Sequence, residues 1–600
     1  MHEEALPLGS IVEEYGTRFR AWVTTSEACA VRLYGEDGRA VATHAMTRSP
    51  SSEAGYFEAF LEGVGPGALY KFVVGGRELP DPYARFLPRG VHGPAMVTAS
   101  GHAWKHGEGI TRPLEEQVLY EVHVGTFTKE GTYDAARARL PELVELGVTT
   151  VELMPLAAFP GARNWGYDGV ALYAPFAGYG TPDDLRRFID EAHGLGLGVF
   201  LDVVYNHFGP AGNYLAQYCP KYFTKDADTP WGEAPNFAFA PMRRYVVDNA
   251  RYWLSEFRFD GLRLDATQAI HDPSAYPILR ELSDRVAELA PRKILIGEDD
   301  RNDPALMREL GLDAVWTDDF HHQVHATLTG ERDGYYRAYE PGLRGIADTI
   351  SGGWLYQGAM YQPTGKPRGK SDDGLPARSF VYYIQNHDQV GNRGLGDRLS
   401  DTISLDAYCA VSMLFLLLPM TPLLFMGQEW AASTPFLYFT DHEAALGRAI
   451  TKGRREEFKT FEAFSDPAAA AAIPDPQKVD TFERSCLRWE ERGEEPHARV
   501  HRLYRELLAM RRTDRVFRQG ARERLTAEVR NGLLVVRQWL GADVRVLLVN
   551  FANDAVNAID AIDAKGAGES IAGLRPVASS GAPWTEGRVP AHTAILFGSS

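Results

Sequence analysis

The spacing of apolar residues divides the chain into three patterns. Over residues 1 to about 100, β-rich runs such as Thr17-Arg18-Phe19-Arg20-Ala21-Trp22-Val23 and Ala30-Val31-Arg32-Leu33-Tyr34 alternate with turn signals at Glu36-Asp37-Gly38 and Gly65-Pro66-Gly67. That rhythm predicts a small β-sandwich. A connector rich in Pro and Gly follows, from Leu79-Pro80-Asp81-Pro82 to Gly90-Val91-His92-Gly93-Pro94. From about residue 113, short apolar runs alternate with stretches of helical spacing. The predicted strands are Leu119–Val124, Thr150–Pro155, Val199–Asn206, Gly261–Ala266, Ile294–Glu298, Ala314–Thr317, Phe380–Gln385 and Pro422–Gly427. Between them, one helix starts at Thr181-Pro182-Asp183-Asp184, with Thr181 as N-cap and Leu185, Phe188, Ile189 and Ala192 on one face. Another is predicted from Thr132 to Gly147, with Leu140, Leu143 and Val144 inward and Gly147 as the stop.

Eight strand–helix units fit an α/β fold with a closed (β/α)₈ barrel better than an open sheet. The longest insertions, residues 208–240 and 430–495, should stand over the barrel's C-terminal face. Strand-like runs return after about residue 520, at Leu533-Leu534-Val535-Val536, Val544–Val549 and Ala594-Ile595-Leu596-Phe597. The expected organisation is an N-terminal β-sandwich over 1–100, the barrel over 101–515 and a C-terminal β-sandwich domain over 516–600.

Composition narrows the function. A net charge of −17, from 80 acidic against 63 basic side chains, argues against a nucleic-acid partner. Cys29, Cys219, Cys409 and Cys486 are far apart and suggest neither a zinc site nor a disulfide framework, so a reducing compartment fits best. Met1-His2-Glu3-Glu4-Ala5 lacks the basic start and apolar run of a secretion signal. The stretch Met413 to Met426 is broken by Pro419 and Pro422, and reads as a buried helix end followed by a buried strand rather than a membrane span. A cytoplasmic location is expected.

Candidate chemistry gathers at the strand ends, where barrels of this kind carry their reactive groups. In Phe259-Asp260-Gly261-Leu262-Arg263-Leu264-Asp265-Ala266-Thr267, Arg263 and Asp265 share one face at period two. A carboxylate beside a guanidinium stays ionised, which suits a nucleophile, although a purely structural ion pair reads equally from this stretch alone. The third strand ends Asp202-Val203-Val204-Tyr205-Asn206-His207, the fifth Gly297-Glu298-Asp299-Asp300 and the seventh Gln385-Asn386-His387-Asp388-Gln389. Carboxylates from three strands with histidines beside them supply what acid-assisted cleavage of a glycosidic bond requires.

The four segments "DVVYNH" at 202–207, "GLRLDA" at 261–266, "GED" at 297–299 and "NHD" at 386–388 resemble, in order and strand position, those of glycoside hydrolase family 13, the α-amylase family. The resemblance implies Asp265 as nucleophile, Glu298 as general acid/base and Asp388 as a third carboxylate that binds sugar hydroxyls and stabilises the transition state. It implies that Arg263 holds Asp265 ionised and that His207 and His387 hydrogen-bond the sugar at the cleavage site. The family retains configuration, which implies a separation of ~5–5.5 Å between the two principal carboxylates.

Four further stretches, "FPGARNWGYDGV" at 159–170, "GEDDRNDPAL" at 297–306, "WTDDFHH" at 316–322 and "EWAASTPFLYFTDH" at 429–442, are similar to members that cut the α-1,4 bond next to the terminal trehalose of a maltooligosyl trehalose. The substrates implied are that compound and related α-glucans, and the pathway partner is the synthase that makes it. Trp165 and Tyr167 are placed to meet a glucose ring, although a Trp-Gly-Tyr turn serves packing as well. Asp318-Asp319-Phe320-His321-His322, with Asp319, Phe320 and His321 as the contact candidates, is expected to line the leaving-group side; helix capping is the competing role of the acids here, and fits Asp318 better than Asp319. Gln389 and Asn392 are further candidates for sugar contact. Many amylases hold a structural Ca²⁺ through the residue matching Asn206, but residues 208–214 offer no cluster of acids. No metal and no cofactor is expected. Branching or debranching at α-1,6 links is the alternative, since the same carboxylates would serve it. A non-catalytic glucan-binding protein would be expected to lack one of the three.

Overall fold

A computed structural model of the chain describes residues 8–48, 55–99, 102–107, 109–110, 112–229, 232–372, 374–459, 461–464, 466–558, 574–585 and 587–599. The segment Met1 to Ala5 lies outside them. Eight parallel strands close into a barrel in chain order. They are β1 (Leu119–Val122), β2 (Thr150–Leu153), β3 (Gly198–Val203), β4 (Gly261–Leu264), β5 (Ile294–Glu298), β6 (Ala314–Trp316), β7 (Phe380–Tyr382) and β8 (Thr421–Phe425). Seven end or begin within a few residues of the predicted bounds and β5 matches them. The predicted C-terminal extensions are not strand, because there the chain turns outward to form the rim.

Alternation along the strands sorts the barrel interior into layers. Leu119, Phe200, Ile294, Ile296, Ala314, Trp316, Val381, Tyr383 and Leu423 pack into one buried apolar cluster. Two residues on from Leu119 is Glu121, two on from Phe200 is Asp202 and two on from Ile296 is Glu298, so each strand carries its acid on the same inward face, one step nearer the C-terminal rim. The register sets Glu121 opposite Glu152 and Asp202 opposite Arg263. An ionic layer therefore lies directly on an apolar floor.

The helix expected over 132–147 is two helices, α1 (Tyr133–Arg137) and α2 (Leu140–Leu146). Pro141 is the reason: its ring has no N–H to continue the ladder and is tolerated only in a first turn, so a new helix starts around it. The helix after Thr181, α3 (Pro182–Gly194), has the full capping box, Thr181 and Asp184 each bonding the other's backbone.

A four-stranded and a five-stranded sheet build the N-terminal sandwich, with Phe19, Val31, Phe57, Tyr70 and Phe72 in its core. That core is continuous with Ala158, Val170, Ala171, Ala174 and Tyr218, so the sandwich packs on the segments that follow β2 and β3. The insertion after β8 stands over the rim: Arg163 pairs with Asp441 at 2.7 Å, and Arg454 Nη2 donates to the carbonyl oxygens of Gly391 (2.8 Å) and Arg393 (3.0 Å). At the C-terminal end, Leu525–Arg530, Leu533–Leu540, Asp543–Asn550, Thr593–Gly598 and Arg575–Ser579 form a five-stranded sheet. No helix among the described residues is long and apolar enough to cross a membrane.

The stretch 413–426 is the end of a buried helix, α4 (Leu405–Leu417), and then β8. Arg511, from the helix α5 (His497–Thr513), closes the turn between them. Its guanidinium is buried and donates to the carbonyl oxygens of Leu416 (2.9 Å), Leu418 and Met420 (2.7 Å), and burial pulls its pKa down to about 10. Arg511→Met leaves these carbonyls without a donor, and denaturant unfolding should show a loss of about 2–4 kcal/mol.

Candidate active site

One side chain gathers the acids. Arg263 of β4 is 0 % exposed, and its Nη1 donates to Asp202 Oδ2 at 2.6 Å and to Asp265 Oδ1 at 3.0 Å. Its Nη2 lies 2.8 Å from Glu298 Oε2. The face of the guanidinium covers the Trp316 ring at 4.1 Å. Three carboxylates from β3, β5 and the end of β4 thus share one cation, in a place where an unpaired charge would be prohibitive.

Asp265 is fixed twice more. Asn206 Nδ2 donates to Asp265 Oδ2 at 2.7 Å and to its carbonyl oxygen at 2.8 Å. The next residue, Ala266, has φ +39°, a left-handed conformation that side chains with a Cβ rarely adopt. That turn points the Ala266 N–H at Glu298 Oε2, 2.9 Å away. Backbone strain and guanidinium therefore tie the same two acids together. Burial pushes the Glu298 carboxyl well above the usual range; Arg263 opposes the rise, and Asp265, Asp388 and Asp318 add to it. The Glu298 side chain keeps 20 % exposure, so it is reached from the cleft.

Asp388, one-third exposed, is held by Asn392 Nδ2 at 2.9 Å. His387 Nε2 lies 3.5 Å from Asp388 Oδ2, while its Nδ1 is 2.5 Å from Glu121 Oε1. Burial alone would lower the His387 pKa, but Asp388 and Glu121 outweigh it and push it up to about 9. Tyr167 stacks on the His387 ring at 5.0 Å and donates its hydroxyl to Asp202 Oδ2 at 2.6 Å. Gly166 makes the turn to Tyr167 possible: its φ is +109°, and a Cβ there would stand 2.2 Å from the Pro155 carbonyl oxygen. His207 Nε2 lies 3.0 Å from the Tyr167 carbonyl oxygen, and burial lowers its pKa.

Other residues expected in the site lie elsewhere. Trp165 is buried, lies flat on Phe436 at 5.2 Å and donates Nε1 to the Leu437 carbonyl at 3.0 Å, so it packs beneath the rim and offers no open face. Helix α6 (Asp318–Thr329) explains the rest, since each residue turns about 100° from the last and only one of the first four can face the cleft. Asp319 is fully buried behind it, accepting from Asn302, Tyr339 and the N–H groups of Leu355 and Tyr356, with Arg368 at 3.1 Å. Phe320 stacks on Tyr382 at 4.3 Å. His321 bonds the Ile384 carbonyl and the Tyr336 hydroxyl. The residue facing the acids is Asp318, which makes no cap hydrogen bond; it accepts from the Tyr383 hydroxyl and lies 3.5 Å from Gln389 Nε2. Burial raises its pKa to about 6, with Tyr383 and Arg368 opposing.

Glu121, Asp202, Trp316 and Tyr383 were missed. For Glu121 a signal existed, an acid within the apolar run Leu119–Val122. Asn206 is engaged with Asp265, and among the described residues no group of three or more His, Cys, Asp or Glu side chains is arranged to hold a metal ion. A cavity of about 830 Å³ lies within the insertion after β8, between Arg448, Lys452, Arg455, Phe464 and Ala470, and none of the acids of the site lines it.

Residues 104–231 match the profile of the alpha amylase catalytic domain, and residues 7–84 that of carbohydrate-binding module 48, the isoamylase N-terminal domain. A malto-oligosyltrehalose trehalohydrolase from Deinococcus radiodurans is 52% identical over 90% of this chain and 88% of its own length. One from Arthrobacter ramosus is 44% identical over 74% of this chain and 79% of its own. A crystal structure described as that of an alpha amylase from Salmonella typhimurium superposes with a TM-score of 0.88 at 36% identity, covering 99% of both chains.

The contrast between the two neighbouring acids of α6 is testable. Asp319→Ala strips Arg368 of a buried partner and should cost about 3–5 kcal/mol in denaturant unfolding. Asp318→Asn should leave the unfolding midpoint close to that of the parent chain.

Proposed function

The chain belongs to the malto-oligosyltrehalose trehalohydrolases of glycoside hydrolase family 13, and from that premise we propose that Asp265, Glu298 and Asp388 carry its chemistry. It is a retaining glycosidase that hydrolyses the α-1,4-glucosidic bond next to the terminal trehalose of maltooligosyl trehalose and releases trehalose. The observation that carries the residue assignment is the single guanidinium of Arg263 within 3.0 Å of both Asp265 and Glu298, with burial pushing Glu298 towards its neutral form.

In this reading the sugar preceding the trehalose lies over Tyr167, between His207 and His387. Asp265 Oδ attacks its anomeric carbon as Glu298 gives its proton to the departing O4 of trehalose. The C–O bond to trehalose breaks, and a glycosyl ester to Asp265 forms. Glu298, now a base, takes a proton from water, and the water oxygen displaces Asp265. Asp388, held by Asn392, grips the sugar hydroxyls and faces the positive charge that develops on the ring. Arg263 disperses the charge on Asp265 whenever it is free. Gln389 and Asp318 border the leaving-group side and meet the trehalose hydroxyls.

The finer setting is also proposed. The partner in metabolism is the synthase that builds maltooligosyl trehalose. The compartment is the cytoplasm, in keeping with four cysteines that are all free thiols. We take 1–100, 101–515 and 516–600 as the three modules of the chain.

The test is a product assay on maltooligosyl trehalose, plain maltooligosaccharide and a branched glucan. Trehalose should be released fast from the first, and NMR should show the new reducing end of the oligosaccharide appearing as the α-anomer. Glu298→Gln should lower kcat by about 10²–10⁴-fold, and Asp265→Ala at least as far. Turnover of the branched glucan alone would overturn the reading of the leaving-group side. For pH the sign follows from the raised pKa: Glu298 works protonated, so kcat/KM should fall on the alkaline limb as it ionises.

A further inference from the structure

We propose that Glu121 is a positioning residue of this site, its buried carboxylate clamping His387 through two hydrogen bonds and holding the imidazole in the charged form that faces Asp388. The clamp is geometric. Glu121 Oε2 accepts from the His387 backbone N–H at 2.9 Å, and Oε1 meets Nδ1 of the same residue at 2.5 Å. Both side chains are almost wholly buried, at 1 % and 2 % exposure. A carboxylate at Nδ1 fixes which ring nitrogen turns to the cleft, and Nε2 is left to address Asp388 at 3.5 Å. The ring cannot swing away, because Tyr167 stacks on one face and the edge of Trp165 closes another side at 5.6 Å.

The charges around His387 come from every side of the barrel mouth. Glu121 and Asp388 favour the imidazolium, and Arg263 of β4 opposes it. Glu152 of β2, opposite Glu121 in the register, has both carboxyl oxygens buried with no hydrogen-bond partner. An acid in that position is stable only as the neutral form, and burial with Glu121 and Asp202 nearby pushes its pKa well up. Buried His123, whose own pKa burial lowers to about 4, adds no charge. Glu121 is thus the one acid of β1 and β2 in contact with His387, and the imidazolium answers it from one side and Asp388 from the other.

The consequence lies in the alkaline range. With Glu121 in place, His387 stays charged up to about pH 9. In Glu121→Gln, the amide oxygen can still accept from Nδ1 but carries no charge, so His387 should lose its proton near or below neutrality. The kcat/KM profile should then gain an alkaline limb at least one pH unit lower than in the parent enzyme, while at pH 5 the variant stays within about threefold of it. Glu121→Asp, which keeps the charge, should restore part of the shift.

The inference rests on the reading of Asp388 as a catalytic carboxylate, and the two fail separately. Asp388→Asn retaining full activity would sink that reading. For Glu121, superimposable pH profiles, or a loss equal at all pH values, would overturn the proposal, the latter marking a merely structural role. A second measurement does not depend on the variant folding. In histidine-labelled parent enzyme, the Cε1–H resonance that disappears in His387→Gln should titrate near pH 9; titration near or below 6.5 would overturn the proposal.

Discussion

A guanidinium with no access to water, surrounded by acids, is the constraint on which this structure turns. Buried without partners, Arg263 would be intolerable, and its three carboxylates would be nearly as costly without it. Each group is therefore locked by the others. Asp202 takes the shortest hydrogen bond from Nη1 and is held in turn by the Tyr167 hydroxyl. Asp265 and Glu298 take what remains of the fork, and Trp316 closes its flat side. The planar fork is essential here: a lysine ammonium could not address three acids from fixed directions. This rigidity is what a covalent mechanism needs, since attacking and protonating atoms must be held within fractions of an ångström.

The barrel supplies that rigidity through the period of two. On β1, β3 and β5 the inward row passes from an apolar residue to an acid, so the floor excludes water and the rim collects the charge. The loops then finish the work. The insertion after β8 grips the segment after β7 through Arg454, and the segment after β2 through Asp441. The N-terminal sandwich buttresses the segments after β2 and β3. The N-terminal sandwich and the insertion after β8 thus both support the rim, and Tyr167, His207 and Asn392 lie on or beside the segments they hold.

How much of this could be read from the sequence depends on the kind of signal. Period-two alternation and strand-end acids carry Arg263, Asp265, Glu298 and Asp388, because those features are local. The barrel was legible for the same reason, as eight repeats of one local pattern. What failed was rotation. In "WTDDFHH" the sequence cannot say which of four consecutive residues faces the cleft, and the helical start turned Asp318 towards it and Asp319, Phe320 and His321 away. Trp165 failed likewise: its neighbours Phe436 and Leu437 come from about 270 residues further along, and no local pattern reports them. Glu121 carries a local signal, yet its partner His387 lies 266 positions away, so its role is visible only once the barrel has closed.

The surplus of acid explains the division of labour better than any single environment does. Glu121, Glu152, Asp202, Asp265, Glu298, Asp318 and Asp388 crowd one rim, against Arg263 and His387 as the cations in contact with them. So many charges cannot all persist in a space that water barely enters, and some acids must hold protons. The cations decide which. Asp265 has a share of Arg263 and two hydrogen bonds from Asn206, Asp388 has His387, and Glu121 is answered by the same imidazole. Glu152 has nothing, and Glu298 shares its cation with Asp202 and Asp265. Burial, with Asp265, Asp388 and Asp318 adding to it, keeps the proton on Glu298, and in the proposed mechanism that is the proton the leaving group receives.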